Sequence, residues 1–262
     1  MPRLLTSLCT LRAVVTLLPD IAVAQDEEPQ GPPVIFMTSW MCDRGDALTS
    51  ILEGAQNQEL PIYQDLVNEG KLLSASTMVH DWGDEWNYVT ITVASDMEAG
   101  LAASDEAGER YEELYGDDED LLTQHCRSHR DNIYVGDFGT NDPEGITYET
   151  PYTVAMSYFA CPFDVLGDIS EDFREVYLPA AQASVDAEMG YWTGGMRHAW
   201  ADEWTYVLGR AAKDLPSILT FADDIDERIM AGNPPEGGPA TDACAHKDNI
   251  YTVVAETTPR SE

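Results

Sequence analysis

Lysine is nearly missing from this chain. Among 262 residues only Lys71, Lys213 and Lys247 occur, and Lys and Arg together number 14 against 48 Asp and Glu, a formal net charge of -34. Such a surface repels polyanions, so nucleic acid and anionic membranes are excluded as partners. Cysteine is scarce too: there are five, and no C-x-x-C pair that would suggest a thiolate zinc site. Apolar runs are short, which argues against a membrane-spanning helix. P-loop, Rossmann fingerprint, nucleophile elbow and H-E-x-x-H are all absent.

At the start of the chain, Arg3, the mostly apolar Leu4 to Leu18 and Ala22-Val23-Ala24 read as a secretory signal over residues 1–24, with Arg12 interrupting the apolar run. Residues 25–32 then read as a polar, Pro-containing leader. Removing 1–24 takes away Arg3, Arg12 and Asp20, leaving 12 basic and 47 acidic residues, a net charge of -35. That balance suits a secreted or periplasmic protein in salty, marine or halophilic surroundings, where screening within roughly 8 Å relieves self-repulsion.

The chain is a tandem duplication. His80-Asp-Trp82-Gly-Asp84-Glu85-Trp86-Asn-Tyr88-Val89 is written again as His198-Ala-Trp200-Ala-Asp202-Glu203-Trp204-Thr-Tyr206-Val207, 118 positions later (198 minus 80). A second shared motif reads Cys126-Arg-Ser-His129-Arg-Asp-Asn-Ile-Tyr134 and Cys244-Ala-His246-Lys-Asp-Asn-Ile-Tyr251. Past the signal the cysteines fall two per repeat, and the duplication favours Cys42 with Cys126 and Cys161 with Cys244 among three pairings.

Each repeat reads βαββαβ. In the first, strands are expected at Val34–Cys42, Lys71–Trp82, Trp86–Ala94 and Asn132–Phe138, with helices over Asp46–Gly70 and Met97–Leu122. Residues 139–150 form a linker. The series restarts with strands at Tyr152–Cys161, Tyr191–Trp200, Trp204–Ala211 and Asn249–Val254 and helices over Ile169–Met189 and Leu215–Met230. Pro179 answers Pro61.

A paired βαββαβ unit resembles the dimeric α+β barrel superfamily, which includes antibiotic-biosynthesis-monooxygenase-like, NIPSNAP and EthD-like proteins. The resemblance covers residues 33–138 and 151–256 and rests on element order and duplication. It implies an α+β fold in which two ferredoxin-like units form a pseudo-dimeric barrel, making the chain a monomer with an internal pseudo-dimer. It also implies sheet order 4-1-3-2, which sets Cys42 beside Cys126.

Alternation places Val89, Ile91 and Val93 under the helices and turns Trp86, Tyr88, Thr90 and Thr92 to the barrel interior, matched by Trp204, Tyr206, Leu208 and Arg210. With Trp82 and Trp200, these aromatics and Arg210 are the candidate ligand-binding residues, or else filling between the sheets. If the fourth strand of one unit reaches the second strand of the other, His80 approaches His246 and His198 approaches His129. With Asp84 or Asp202 nearby, such pairs could do acid/base work or hold a divalent metal; equally, they could fix the hairpins, and the acids could serve only the turns.

Three functions follow as expectations. The first is a barrel holding a small apolar or aromatic ligand between its sheets, with cofactor-independent oxidation implied by the resemblance. The second is a haem or metal enzyme using the histidines. The third is an extracellular interaction module whose interior is packed shut.

Overall fold

The first strand, β1 (Val34–Cys42), follows a Pro pair that cannot continue a ladder and stops at Asp43-Arg44-Gly45, where Gly45 takes a left-handed φ of 75°. The structure, a computed structural model, describes residues 31–83, 85–116, 121–140, 148–200, 203–232 and 240–258. The expected signal, most of the leader, the middle of the linker, Asp84 and Asp202 lie outside the described residues.

After β1, the expected helix over Asp46–Gly70 is present as α1 (Asp46–Gly54) and α2 (Leu60–Asn68), joined by one π-helical turn at Ala55–Glu59. Pro61 lies in the first turn of α2, where its missing N–H costs little; the widened turn before it relieves the clash of its ring with the preceding carbonyl. In the second half α5 (Leu166–Asp172) and α6 (Leu178–Asp186) flank a π turn at Phe173–Tyr177, just before Pro179. The helix defect was duplicated with the motif.

The hairpin β2 (Ser74–Trp82) and β3 (Tyr88–Ala94) comes next, then α3 (Met97–Tyr115), α4 (Leu121–His125) and β4 (Cys126–Gly139). The Asp96 carboxylate caps α3 by accepting from the Ala99 N–H at 2.8 Å. The single helix expected to Leu122 stops at Gly116, whose φ of 81° ends it. The second half runs β5 (Tyr152–Ala160), α5, α6, β6 (Trp192–Trp200), β7 (Tyr206–Ala212), α7 (Leu215–Ala231) and β8 (Ala245–Glu256). Asp214 caps α7 as Asp96 caps α3.

All eight strands close into one antiparallel barrel in the order β1-β3-β2-β8-β5-β7-β6-β4. Within each half the order is the expected 4-1-3-2, and the halves join through β2–β8 and β4–β6. Closure leaves no open edge. Both disulfides form, Cys42–Cys126 and Cys161–Cys244, the first joining the end of β1 to the start of β4 and the second joining the residue after β5 to the residue before β8. No helix among the described residues is long and apolar enough to cross a membrane.

The faces of the third strands differ from expectation. Val89 and Ile91 pack in the barrel interior with Met37, Met78 and Val253. Tyr88, fully buried, packs instead against the disulfide and α1 with Cys42, Ile51 and Leu122. Alternation could not orient this strand because both faces of the sheet are buried, one inside the barrel and one under helices. Trp86 keeps an inward position because the ladder of β3 begins only at Tyr88.

Between Trp86 and Tyr88, the buried Asn87 side chain takes the place of a strand partner. Its Oδ1 accepts from the Cys42 N–H at 2.8 Å and its Nδ2 donates to the Cys42 carbonyl at 2.8 Å. Thr205 does the same in the second half, its Oγ1 accepting from the Cys161 N–H at 2.9 Å. One sheet-terminating device is thus built from two different side chains.

Candidate functional site: a half-open lumen and a helix–sheet cleft

One end of the barrel is shut by the two shared motifs acting together. Arg130 lies 4.9 Å from the Trp86 ring centre, and Lys247 lies 4.7 Å from the Trp204 ring centre and 5.4 Å from that of Tyr158. Arg130 and Lys247 hold the same place in the second motif, just before Asp-Asn-Ile-Tyr. Cation–π pairs that seal a desolvated end are worth about 1–2 kcal/mol each. Only about 20 Å³ of space remains there.

Toward the other end the lumen is hollow. A cavity of about 480 Å³ is lined by Ile35, Met78, Ile91, Val154, Met156 and Trp192 among others, with Ser74, Ser76 and Glu256 as polar points. Its size and largely apolar wall suit a small ligand. Gly194 and Gly209 are register partners on its wall, and the Trp192 ring lies over Gly209, 3.1 Å from where a Cβ would sit. The positions 118 earlier than Trp192 and Gly209 are Ser74 and Ile91, so duplication left the wall asymmetric. At the mouth the Tyr152 hydroxyl donates to Glu256 Oε2 at 3.0 Å. Burial, and then the Glu256 carboxylate, hold that hydroxyl well above the ordinary tyrosine range.

A second cavity, about 810 Å³, lies outside the barrel between α5, the π turn after it, α7 and the sheet of the second half. Arg210, His246, Ser157 and Asp248 meet apolar Phe173 and Leu208 there. Arg210 Nη2 donates to Ser157 Oγ at 3.1 Å, and that hydroxyl donates to Asp248 Oδ1 at 2.6 Å. Its counterpart in the first half holds about 330 Å³ and repeats the hydroxyl–carboxylate bond, Thr38 to Asp131 at 2.8 Å, but has Thr92 at the place of Arg210. Burial, then Glu59, pushes Tyr63 in this smaller cleft up to about 12.

The candidate residues are scattered among these places. Trp86 and Trp204 close the barrel end, while Tyr88 and Tyr206 sit under helices, Tyr206 donating to the buried Asp137 carboxylate at 2.8 Å. Trp82 and Trp200 stand exposed at the ends of β2 and β6. Arg210 and His246 do come together, in the cleft rather than in the lumen.

The histidine pairs do not form. β2 does pair with β8, but His80 is opposite Tyr251, with rings 5.1 Å apart, and His246 lies five residues further back along β8 (251 minus 246), paired with Phe159. Likewise His198 is opposite Tyr134, and His129 is paired with Trp40. The fourth strands start at or just after the disulfide cysteines, several residues earlier than expected, and carry His129 past the end of β6 and His246 past the end of β2 while both stay paired to their first strands. Among the described residues no group of three or more His, Cys, Asp or Glu is placed to hold a metal. A metal or haem held by a shared histidine pair therefore does not fit these residues.

Sequence reasoning missed the lining of the hollow half, including Trp192, Met156 and Glu256. Serine and glycine opposite aliphatic residues at the start of a strand carry little signal until the barrel closes.

The fold and its half-open lumen define a closed, eight-stranded antiparallel α+β barrel. No protein-family model matches the sequence, and no curated protein does. Among solved structures it is similar to a candidate monooxygenase from Fusobacterium nucleatum subsp. nucleatum, with TM-score 0.63 and 12% identity over 88% of this chain and 97% of that one. A candidate monooxygenase from Lactobacillus acidophilus NCFM gives 0.61 and 8% over 88% and 98%. An anthrone oxidase-like protein gives 0.54 and 13% over 86% and 92%. These proteins belong to the dimeric α+β barrel superfamily, and at such identities the likeness is one of fold.

Proposed function

We propose that this chain is an exported, internally pseudo-dimeric α+β barrel that binds a small apolar or aromatic molecule in the hollow half of its lumen. The observation that carries this reading is the cavity of about 480 Å³, closed at one end by Trp86 and Trp204 and walled by Ile35, Val154, Trp192 and methionines. A packed interaction module has no use for such a space. Export is supported by the two disulfides, which persist in oxidising compartments. The acidic surface keeps the chain monomeric and soluble.

The neutral aromatic amine N-phenyl-1-naphthylamine tests the reading. Saturable 1:1 fluorescence enhancement is expected, and Ser76→Trp, which fills the cavity from its wall, should abolish it. Enhancement that is absent, or unchanged in Ser76→Trp, overturns the lumen as the site.

A second reading places chemistry in the helix–sheet cleft, favoured by the chain Arg210–Ser157–Asp248, which aims a cation and a polarised hydroxyl into an apolar space. The likeness in fold to candidate monooxygenases supports oxidation of an aromatic substrate by O2 without a resident cofactor. Oxygen uptake over a panel of anthrones and quinols, lost in Arg210→Met but kept in Ser76→Trp, is the expected result. Uptake that survives Arg210→Met rules the cleft out.

A further inference from the structure

Four methionines face the lumen: Met37 on β1, Met78 on β2, Met156 on β5 and Met196 on β6. In the closed order β1-β3-β2-β8-β5-β7-β6-β4, each comes from every second strand. The registers place them at one level. Met37 and Met78 pair with Ile91 and Val89 of β3; Met78 and Met156 with Val253 and Asn249 of β8. Met156 and Met196 pair with Gly209 and Val207 of β7; Met196 and Met37 with Gly136 and Asn132 of β4. Every step is two or four residues in the same sense, the stagger by which tilted strands close a barrel, so the four side chains form one ring across the lumen.

Duplication made the ring: Met78 and Met196 are 118 apart, as His80 and His198 are, and Met37 and Met156 are 119 apart, as Cys42 and Cys161 are. Two of the sulfurs, those of Met37 and Met156, also share a neighbour. β1 and β5 are diametrically opposite, yet the Tyr158 hydroxyl lies 3.8 Å from Met37 Sδ and 3.3 Å from Met156 Sδ. Two thioethers from opposite walls therefore reach the same hydroxyl inside the lumen. Met78, Met156 and Met196 also line the hollow half, which gives them access from the open mouth.

We infer that this ring is a binding site for a soft, weakly hydrated monovalent cation of the Cu(I) class, held by the thioethers of Met78, Met156 and Met196 with Met37 beneath. Neutral thioethers discriminate against Zn²⁺, Mg²⁺ and Ca²⁺, which need thiolate, imidazole or oxygen donors, and select soft ions. The Tyr158 hydroxyl, now donating to Met156, turns to its neighbour Tyr251 Oη at 3.4 Å when the sulfur binds metal. The site does not depend on the organic-ligand reading, since its probe is a metal ion alone.

The test uses silver nitrate as an air-stable probe in chloride-free buffer, on the full chain carrying Cys9→Ser with both disulfides intact. Calorimetry should show one Ag⁺ per chain and no heat with Zn²⁺. Met78→Leu, Met156→Leu and Met196→Leu combined should weaken binding at least tenfold, whereas Met41→Leu, Met97→Leu and Met230→Leu combined should leave it unchanged. Leucine nearly conserves volume, so the fold should survive. Should the triple variant not fold, ¹³C-methyl methionine spectra of the otherwise unaltered chain decide, with Ag⁺ shifting the lumen methyl signals first. Absence of 1:1 binding, equal affinity in the lumen variant, or shifts confined to methionines outside the lumen would overturn the site and leave the ring as an adaptable cavity floor.

Discussion

The Arg130 guanidinium sits 4.9 Å from the centre of the Trp86 ring, and the duplicated pair, Lys247 and Trp204, sits 4.7 Å apart. Each pair joins one copy of the first motif to one copy of the second, so the two repeated motifs were retained as one device that shuts the barrel. Truncating Trp204 to Ala removes the plug and its cation contact together, and should cost about 3–5 kcal/mol. Lys247→Met keeps most of the packing and should cost about 1–2 kcal/mol. Urea denaturation of both variants checks the order, which fails if Lys247→Met is the more damaging.

Asn87 and Thr205 supply a matched comparison. Asn87→Ala leaves the Cys42 N–H and carbonyl without their 2.8 Å partners in a buried setting, and should lose about 2–4 kcal/mol. Asn87→Thr imports the solution used at the second copy and should recover at least half of that loss. Equal stability of the two variants in chemical denaturation would mean that the side-chain bonds to Cys42 contribute little.

Asp137 ties the halves together from β4. Its buried carboxylate accepts from Ser170 at 2.5 Å and Tyr206 at 2.8 Å, and pairs with Arg174 and Arg197. Burial, then this carboxylate, hold the Tyr206 hydroxyl far above its ordinary range. Asp137→Asn removes the charge from the hydrogen bonds of Ser170 and Tyr206 and leaves two half-exposed guanidinium groups facing a neutral amide, and should cost about 1–3 kcal/mol. Thermal melts at fixed salt would show it, and a shift under 2 °C would contradict the assignment.

Acid sensitivity should concentrate on the α2–α3 side. Side-chain hydrogen bonds from Arg110, then Lys71, hold Glu69 down at about 2, below its ordinary 4.5. A depressed carboxylate contributes stability above its unfolded value, and that contribution is lost as pH falls from about 4.5 through about 2. Glu69→Gln should therefore flatten the stability-versus-pH curve in that window relative to the parent, while both share the relief of repulsion that protonating other acids brings. Because the group is exposed, added salt should shrink the difference. Parallel curves for the two proteins would remove Glu69 from the acid response.

Much of the architecture was legible in the chain. The paired motifs and paired cysteines predict βαββαβ twice and both disulfides, because duplicated sequence folds into duplicated elements and a half-sheet with an uncovered apolar face needs its twin. Pro61 and Pro179 mark matching helix restarts for a local reason, the missing N–H. Facing was not legible: in β3 and β7 both sides of the strand are buried, so apolar alternation carries no sign, and Tyr88 and Tyr206 went outward under the helices. Nor was register across the seams, which sets His80 against Tyr251 rather than His246 and depends on where β8 starts. The levelling of four methionines into one ring, and the emptiness of the lumen above it, exist only once eight tilted strands close, because stagger accumulates around the barrel and no single repeat contains it.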